Sequence, residues 1–303
     1  MTFRISTRAL HDTISQAVLD SQQTVLQLQR GLADGRAIRK PSDDPVGTNV
    51  VMQYRERLRA NEQYQKNMEV VLSHLNAVDS TMFMIQEQII QAQSIQVRGA
   101  DDSQGQDARN ALAREIDQIA QAVIDLGNTR FAGVYIFGGT RTLEPAYETQ
   151  LDENGFVASV EKNPNGIDGD VRRQVGRDLS LSIHVSGDDV FGVDQELFQT
   201  LLDLRDALLA GDREAIQATH DRLEAAQDQV LGTHTFVGSL LTRAEALKGR
   251  LQADEVTNES GRTRIEDIDV ARALLDFNQN QVALEAALDA GSRILQSSLL
   301  NYL

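Results

Sequence analysis

The chain of 303 residues carries a net charge of −16, no cysteine and no tryptophan, and only 5% of it is aromatic. This excludes a disulfide framework and a thiolate metal site, and it argues against a nucleic-acid partner or an anionic membrane surface. The composition favours helices packed through Leu, Ile, Val and Ala over a large sheet sandwich.

The charge is uneven. Residues 1–45 hold six basic and five acidic side chains and residues 262–303 hold four and six, so most of the acidity lies between them. Near-neutral ends beside an acidic middle suit ends buried in an assembly and a middle facing water. No segment approaches ~18 uninterrupted apolar residues, so no membrane insertion is expected. The opening MTFRISTRALHDTISQAV lacks the apolar core of a secretory signal.

The first helix is expected over residues 4–37, with Leu10, Ile14, Val18, Ser21, Val25, Leu28 and Leu32 along one stripe. The hinge Pro41-Ser42-Asp43-Asp44-Pro45 follows. Pro41 cannot continue a helix, whereas Asp44 is a good N-cap and Pro45 suits a first helical position. A long second helix, about 45–98, has the seam Asn61, Tyr64, Met68, Val71, Leu75, Val78, Met82, Ile85, Ile89 and Ala92, spaced in threes and fours. Gly99 to Gly105 breaks it, and a third helix over 106–127 presents Leu112, Ile116, Ile119, Val123 and Leu126.

Residues 131–139, FAGVYIFGG, read as a strand with turns, and 140–192 as a small β-rich insert. Asn154-Gly155 suggests a hairpin, Asn163-Pro164-Asn165-Gly166 another turn, and Asp188-Asp189 a further one. Leu179, Leu181, Ile183 and Val185 alternate with polar residues as in a half-buried strand. Helix returns near Asp194, with Leu197, Leu201, Leu204 and Leu208 before Gly211. A long helix over 212–257 is expected to break at Ser260-Gly261, and a last helix from 263 to carry Val270, Leu274, Phe277, Gln281, Leu284, Leu288, Gly291 and Leu295. The expected fold is mainly α: a long antiparallel helical bundle or coiled-coil rod with a small β-rich insert domain at its far end. The domains are 1–40 with 263–303, 41–139 with 193–262, and 140–192.

No catalytic, cofactor or metal constellation is expected. His11, His74, His184, His220 and His234 form no H-E-x-x-H pattern and are placed on helix surfaces or a strand's solvent face. Asp43-Asp44 and Asp101-Asp102 stand at helix starts, where capping explains them. There is no phosphate loop and no G-x-S-x-G, so an enzyme hosted in the insert has nothing to support it. The terminal helices differ from the bundle: residues 9–29 contain two acids and no base, and 277–303 only Glu285, Asp289 and Arg293. Such uncharged flanks suit close packing against neighbours, where buried charge is costly.

Five segments carry a resemblance: Phe3-Arg4-Ile5-Ser6-Thr7; Gly35 to Gly47, GRAIRKPSDDPVG; Val134 to Gly139, VYIFGG; Thr263-Arg264-Ile265-Glu266-Asp267; and Leu299-Leu300-Asn301-Tyr302-Leu303. In this order they resemble the flagellin family. The resemblance implies a structural subunit of the bacterial flagellum that joins hook to filament; the alternative is the bulk filament subunit, whose hinge tends instead to an S-x-K-D-D-A-A-G type. It implies that the terminal helices form an inner coiled-coil tube through Leu10, Ile14, Val18, Val25, Leu28, Leu32, Leu274, Phe277, Leu284, Leu288 and Leu295. The implied partners are further copies in a ring or layer, and the first hook-associated protein and flagellin as axial neighbours. An export chaperone on the C-terminal helix, near 263–303, and type III export to the flagellum outside the cell are implied as well.

Overall fold

The computed structural model describes residues 7–300 apart from 154, 164–168 and 170, and leaves out the side chains of 7–11, 14 and 293–300. Seven helices are described: α1 (Thr7–Asp34), α2 (Pro45–Gly99), α3 (Gln106–Gly127), α4 (Gly187–Phe191), α5 (Glu196–Ala210), α6 (Arg213–Glu266) and α7 (Val270–Leu300). Between α3 and α4 lie the strands β1 (Arg130–Phe131), β2 (Val134–Tyr135), β3 (Tyr147–Leu151), β4 (Val157–Lys162), β5 (Arg172–Gln174) and β6 (Ser180–Ser182). They form three antiparallel two-stranded sheets, β1–β2, β3–β4 and β5–β6. The chain divides into two compact units, one of residues 1–60 with 254–303 and one of 61–253.

In the unit 61–253 the α2 seam is the core. Met68, Val71, Leu75, Val78, Met82, Ile85, Ile89 and Ala92 are all fully buried, as period-3.5 spacing requires of a face turned to its neighbours. Opposite lie Ile116 and Val123 of α3, Leu201 and Leu204 of α5, and Leu223 and Val230 of α6. Helices α2 and α6 run antiparallel: Asn61 Nδ2 donates to the Leu251 carbonyl at 2.7 Å and Gln96 Nε2 to the Ile216 carbonyl at 3.0 Å. These buried amides find backbone acceptors, which offsets the cost of removing them from water.

The β3–β4 hairpin forms around the expected turn, with Phe156 N–H donating to the Asp152 carboxylate at 2.8 Å and Gly155 at φ +82°. Leu181, Ile183 and Val185 are buried while Ser180 faces water, so the alternation reports a true half-buried strand. The turn expected at 163–166 falls mostly outside the described residues.

Two expectations are corrected. Asp188 and Asp189 lie in the first turn of the short helix α4, where the Ser186 hydroxyl accepts from Asp188 N–H at 3.1 Å. The 99–106 loop meets the end of α5, with Gln106 Nε2 donating to the Leu208 and Leu209 carbonyls. The insert packs against the helices. Val175, Leu181 and Ile183 pack with Met68, Val71 and Leu75 of α2 and Leu240 and Ala244 of α6. Phe137, Tyr147 and Phe191 join the main core, where Phe191 stacks on Phe198 at 4.8 Å between ring centroids. An insert this small cannot bury an apolar face by itself and takes the bundle's surface to do so.

The second correction concerns Ser260-Gly261, where no break occurs: α6 runs on to Glu266. One glycine costs a helix only about 1 kcal/mol. Here the missing side chain has a use, because a Cβ on Gly261 would meet the Tyr54 ring at 2.6 Å.

Candidate functional site

The features with an assembly chemistry lie in the unit 1–60 with 254–303. Between α1 and α2 the chain turns through the expected hinge. Asp43 accepts from the N–H groups of Arg39 and Lys40 at 3.2 and 3.1 Å, and its own N–H donates to the Lys40 carbonyl at 2.9 Å, closing a tight turn over Pro41-Ser42. Asp44 caps α2. Its Oδ1 accepts from Val46 and Gly47 N–H at 3.0 and 2.9 Å, and its carbonyl from Thr48 N–H at 2.9 Å. Pro45 is the first helical residue, where no N–H is needed. A Cβ at position 47 would meet the Asp44 carboxylate at 2.3 Å and Ile38 Cδ1 at 2.6 Å, so a larger residue there would have to displace the cap or the isoleucine.

The hinge does not stand alone. It pairs with the break between α6 and α7. Ala37 N–H donates to the Glu266 carbonyl at 2.8 Å, Ile268 N–H donates to the Gly35 carbonyl at 3.0 Å, and Arg36 and Asp267 form an antiparallel bridge. The Glu266 side chain, 1% exposed as a residue, is surrounded by guanidinium groups: Arg55 at 2.6 Å, Arg36 at 3.2 Å and Arg262 at 3.5 Å. Arg262 also reaches Glu259 at 2.6 Å, and Arg39 pairs with Asp34. A buried carboxylate is tolerable only with such partners. Asp269 then caps α7, accepting from Arg272 N–H at 3.1 Å. Glu266, Arg36 and Arg55 escaped the sequence reading, because the residues of this clasp are 211 or more positions apart or sit on an unremarkable helix face.

Helices α1 and α7 pack side by side. Val18, Ser21, Val25, Leu28 and Leu32 form the half-buried line of α1. On α7 the half-buried or buried line is Ala273, Phe277, Asn280, Leu284, Ala287 and Gly291. The seam read from sequence is therefore corrected in phase. Phe277, Leu284 and Gly291 belong to it, while Val270, Leu274, Gln281 and Leu288 face outward; small Ala and Gly residues face α1 and let the helices approach. Leu274 and Leu288 are 46% and 50% exposed, in company with Leu275, Val282, Leu19 and Leu26. The side chains of Leu10, Ile14 and Leu295 lie outside the described residues. Among the described residues of this unit, Val51 and Ala273 are the two buried hydrophobic side chains.

The histidines are placed differently from the expectation in three cases. His74 and His184 are half-buried where the insert meets α2, and His234 is half-buried with its Nε2 2.9 Å from the Asp79 carboxylate of α2, rather than on open surfaces. His220, Asp221 and Glu224 stand together on an exposed face of α6, with ligand atoms within 4.8 Å of one another, as helical spacing alone arranges.

The model of the bacterial flagellin N-terminal helical region matches residues 5–142, and that of the flagellin C-terminal helical region matches 220–303. The chain is similar to the flagellar hook-associated protein 3 of Escherichia coli K12, 22% identical over 313 residues and 95% of each chain. It is similar too to a flagellin of Bacillus subtilis, 23% identical over 287 residues, covering 88% of this chain and 86% of that one. Among solved structures, a putative flagellar hook-associated protein from Vibrio parahaemolyticus has a TM-score of 0.65 at 16% identity, covering 74% of this chain and all of its own. The flagellar junction protein FlgL from Legionella pneumophila has a TM-score of 0.53 at 15% identity, covering 73% and 99%. The N-terminal and C-terminal helical regions of one family are thus matched in order along the chain, and the chain belongs to the flagellin family.

Proposed function

We propose that this chain is a structural, non-enzymatic subunit of the bacterial flagellum that forms the layer joining hook to filament. The observation that carries the reading is the imbalance in the unit 1–60 with 254–303. Among the described residues of this unit, two buried hydrophobic side chains are too few to hold it together, while Leu19, Leu26, Leu274, Leu275, Val282 and Leu288 remain exposed on the sparsely charged α1 and α7. Apolar surface of this extent marks an interaction site. The occupant we infer is the same pair of helices on neighbouring copies, set side by side in a ring or layer. Val18, Val25, Leu28, Leu32, Phe277 and Leu284 would hold the pair within a copy, and Leu274 and Leu288 would meet the next. Leu10, Ile14 and Leu295 extend the same pattern in sequence.

In this reading residues 1–40 with 263–303 build the inner tube, 41–139 with 193–262 the surrounding shell, and 140–192 faces outward. The hinge Pro41–Pro45 and the clasp at Glu266 are the boundary between tube and shell. The axial neighbours are a hook-associated protein on one side and flagellin on the other. Type III export delivers the chain to the flagellum outside the cell, with an export chaperone bound over 263–303.

The similarity to a flagellin at 23% identity supports a second reading, the bulk filament subunit. Deletion of the gene separates the two. The junction reading expects intact hooks with unpolymerised filament protein shed into the medium. Normal filaments in the deletion strain would overturn it, and loss of the major filament band itself would establish the second reading.

A further inference from the structure

Helix α2 has two apolar lines. One is the buried seam from Met68 to Ala92. The other is Phe83, Ile90 and Val97, spaced by seven residues and 55%, 53% and 62% exposed. Its place follows from the ties between α2 and α6. The Asp79 carboxylate lies 2.9 Å from His234 Nε2, and Gln93 Nε2 donates to Gln227 Oε1 at 2.8 Å. Residues four apart stand one turn above each other on a helix. Phe83 and Val97 therefore stand one turn beyond Asp79 and Gln93, and Leu231 of α6, also exposed, one turn beyond Gln227. The four apolar side chains border one flank of the α2–α6 pair, to which Gly238, four residues beyond His234, adds no side chain.

Charge is sparse on this part of α2. Of residues 70–97, two are charged: Asp79, which pairs with His234, and Glu87. The other exposed residues of the stretch are Ser, Asn, Gln and apolar. The α6 side of the flank adds Glu224 and the chargeable His220. Residues 61–253 as a whole hold 30 acidic and 16 basic side chains.

We propose that this flank is a docking surface for a second copy of the chain, one of whose helices lies along Phe83, Ile90 and Val97. It rests on the reading of the chain as an assembling subunit, and it gives the unit 61–253 a contact of its own besides α1 and α7. A seven-residue spacing keeps side chains in register with a helical partner. Phe83 to Val97 span about 21 Å of helix axis at 1.5 Å per residue. The charge selects which partner. Two copies of a chain of net charge −16 repel one another, and the repulsion is least where the approaching faces carry few charges. A basic partner would gain attraction on the acidic surfaces elsewhere and little on this one. A sparsely charged apolar flank is what an equally acidic neighbour requires.

The test is photo-crosslinking in assembled flagella. The photoreactive p-benzoylphenylalanine replaces Phe83 or Ile90, one at a time, in the full chain expressed in a deletion strain, and the flagella are isolated before irradiation. The expected product is an adduct of twice the chain's mass that yields peptides of this chain alone. The triple variant Phe83→Ser, Ile90→Ser, Val97→Ser should melt close to the parent as an isolated chain, because these side chains are exposed within one copy. It should lower the amount of chain found in flagella roughly tenfold or more. Phe83→Leu should be incorporated as the parent is. An adduct with a different protein, or no adduct in flagella that contain the chain, would overturn the docking surface and leave the assembling-subunit reading intact. Parental incorporation of the triple variant would do the same. An unmodified chain absent from flagella would overturn both.

Discussion

At the scale of the residue, the decisive groups are those whose partners are far away in the chain. Asp44 could be recognised as a cap because its donors, Val46 and Gly47, follow it directly. Glu266 could not, because its role depends on Arg36 and Arg55, brought in from α1's end and from α2. Replacing Glu266 by Ala removes the shared counter-ion of three guanidinium groups. Two of these are about half exposed, at 52% and 42%, so water screens part of the loss. The expected cost is about 1–3 kcal/mol. It should appear as faster amide exchange at Ala37 and Ile268, the N–H groups of the paired hinge. Unchanged exchange at both amides would show that the backbone pairing stands without the carboxylate.

At the scale of the element, helix boundaries separate local from tertiary control. Gly211, at φ +69°, ends α5 as its local conformation requires. Gly261 does not end α6, and the true break at 267–269 contains neither glycine nor proline. The reason is the hinge. Pairing of Ile268 with Gly35 and of Ala37 with Glu266 satisfies backbone groups that a continuing helix would otherwise have bonded internally. Gly261 itself makes room for Tyr54. Gly261→Ala should thus destabilise the protein, although alanine is the better helix former by about 1 kcal/mol. In a Tyr54→Ala background the same substitution should become stabilising. Paired denaturation curves of the four proteins check the reversal, and a stabilising effect in both backgrounds would remove the packing explanation.

At the scale of the whole molecule, the two units differ in how much apolar surface they bury for themselves. The unit 61–253 has a continuous core from Val78 to Val237, fastened by the buried pair of Arg205 and Asp117 at 2.9 Å. The unit 1–60 with 254–303 leaves Leu19, Leu26, Leu274, Leu275 and Leu288 exposed. Replacing Leu19, Leu274 and Leu288 together by Ser should leave the helix content and the melting of the isolated chain close to those of the parent. The same replacement should abolish assembly, read as lost rescue of motility in a deletion strain. Full rescue would show that these side chains are not the contact between copies.

The seams of α2 and α3, the Asp44 cap, the hairpin turn and the family were legible in the sequence, because each is written in neighbours within about one or two helical turns. The 3.5-residue period states which side of a helix is apolar whatever lies opposite. It does not state what lies opposite. Only the tertiary structure decided that the β insert lies along α2 and α6, that α7 turns Ala273, Ala287 and Gly291 towards α1, and that Glu266 closes the hinge. Those outcomes depend on complementary shape and charge between segments as far as 211 residues or more apart, a quantity that no local pattern contains.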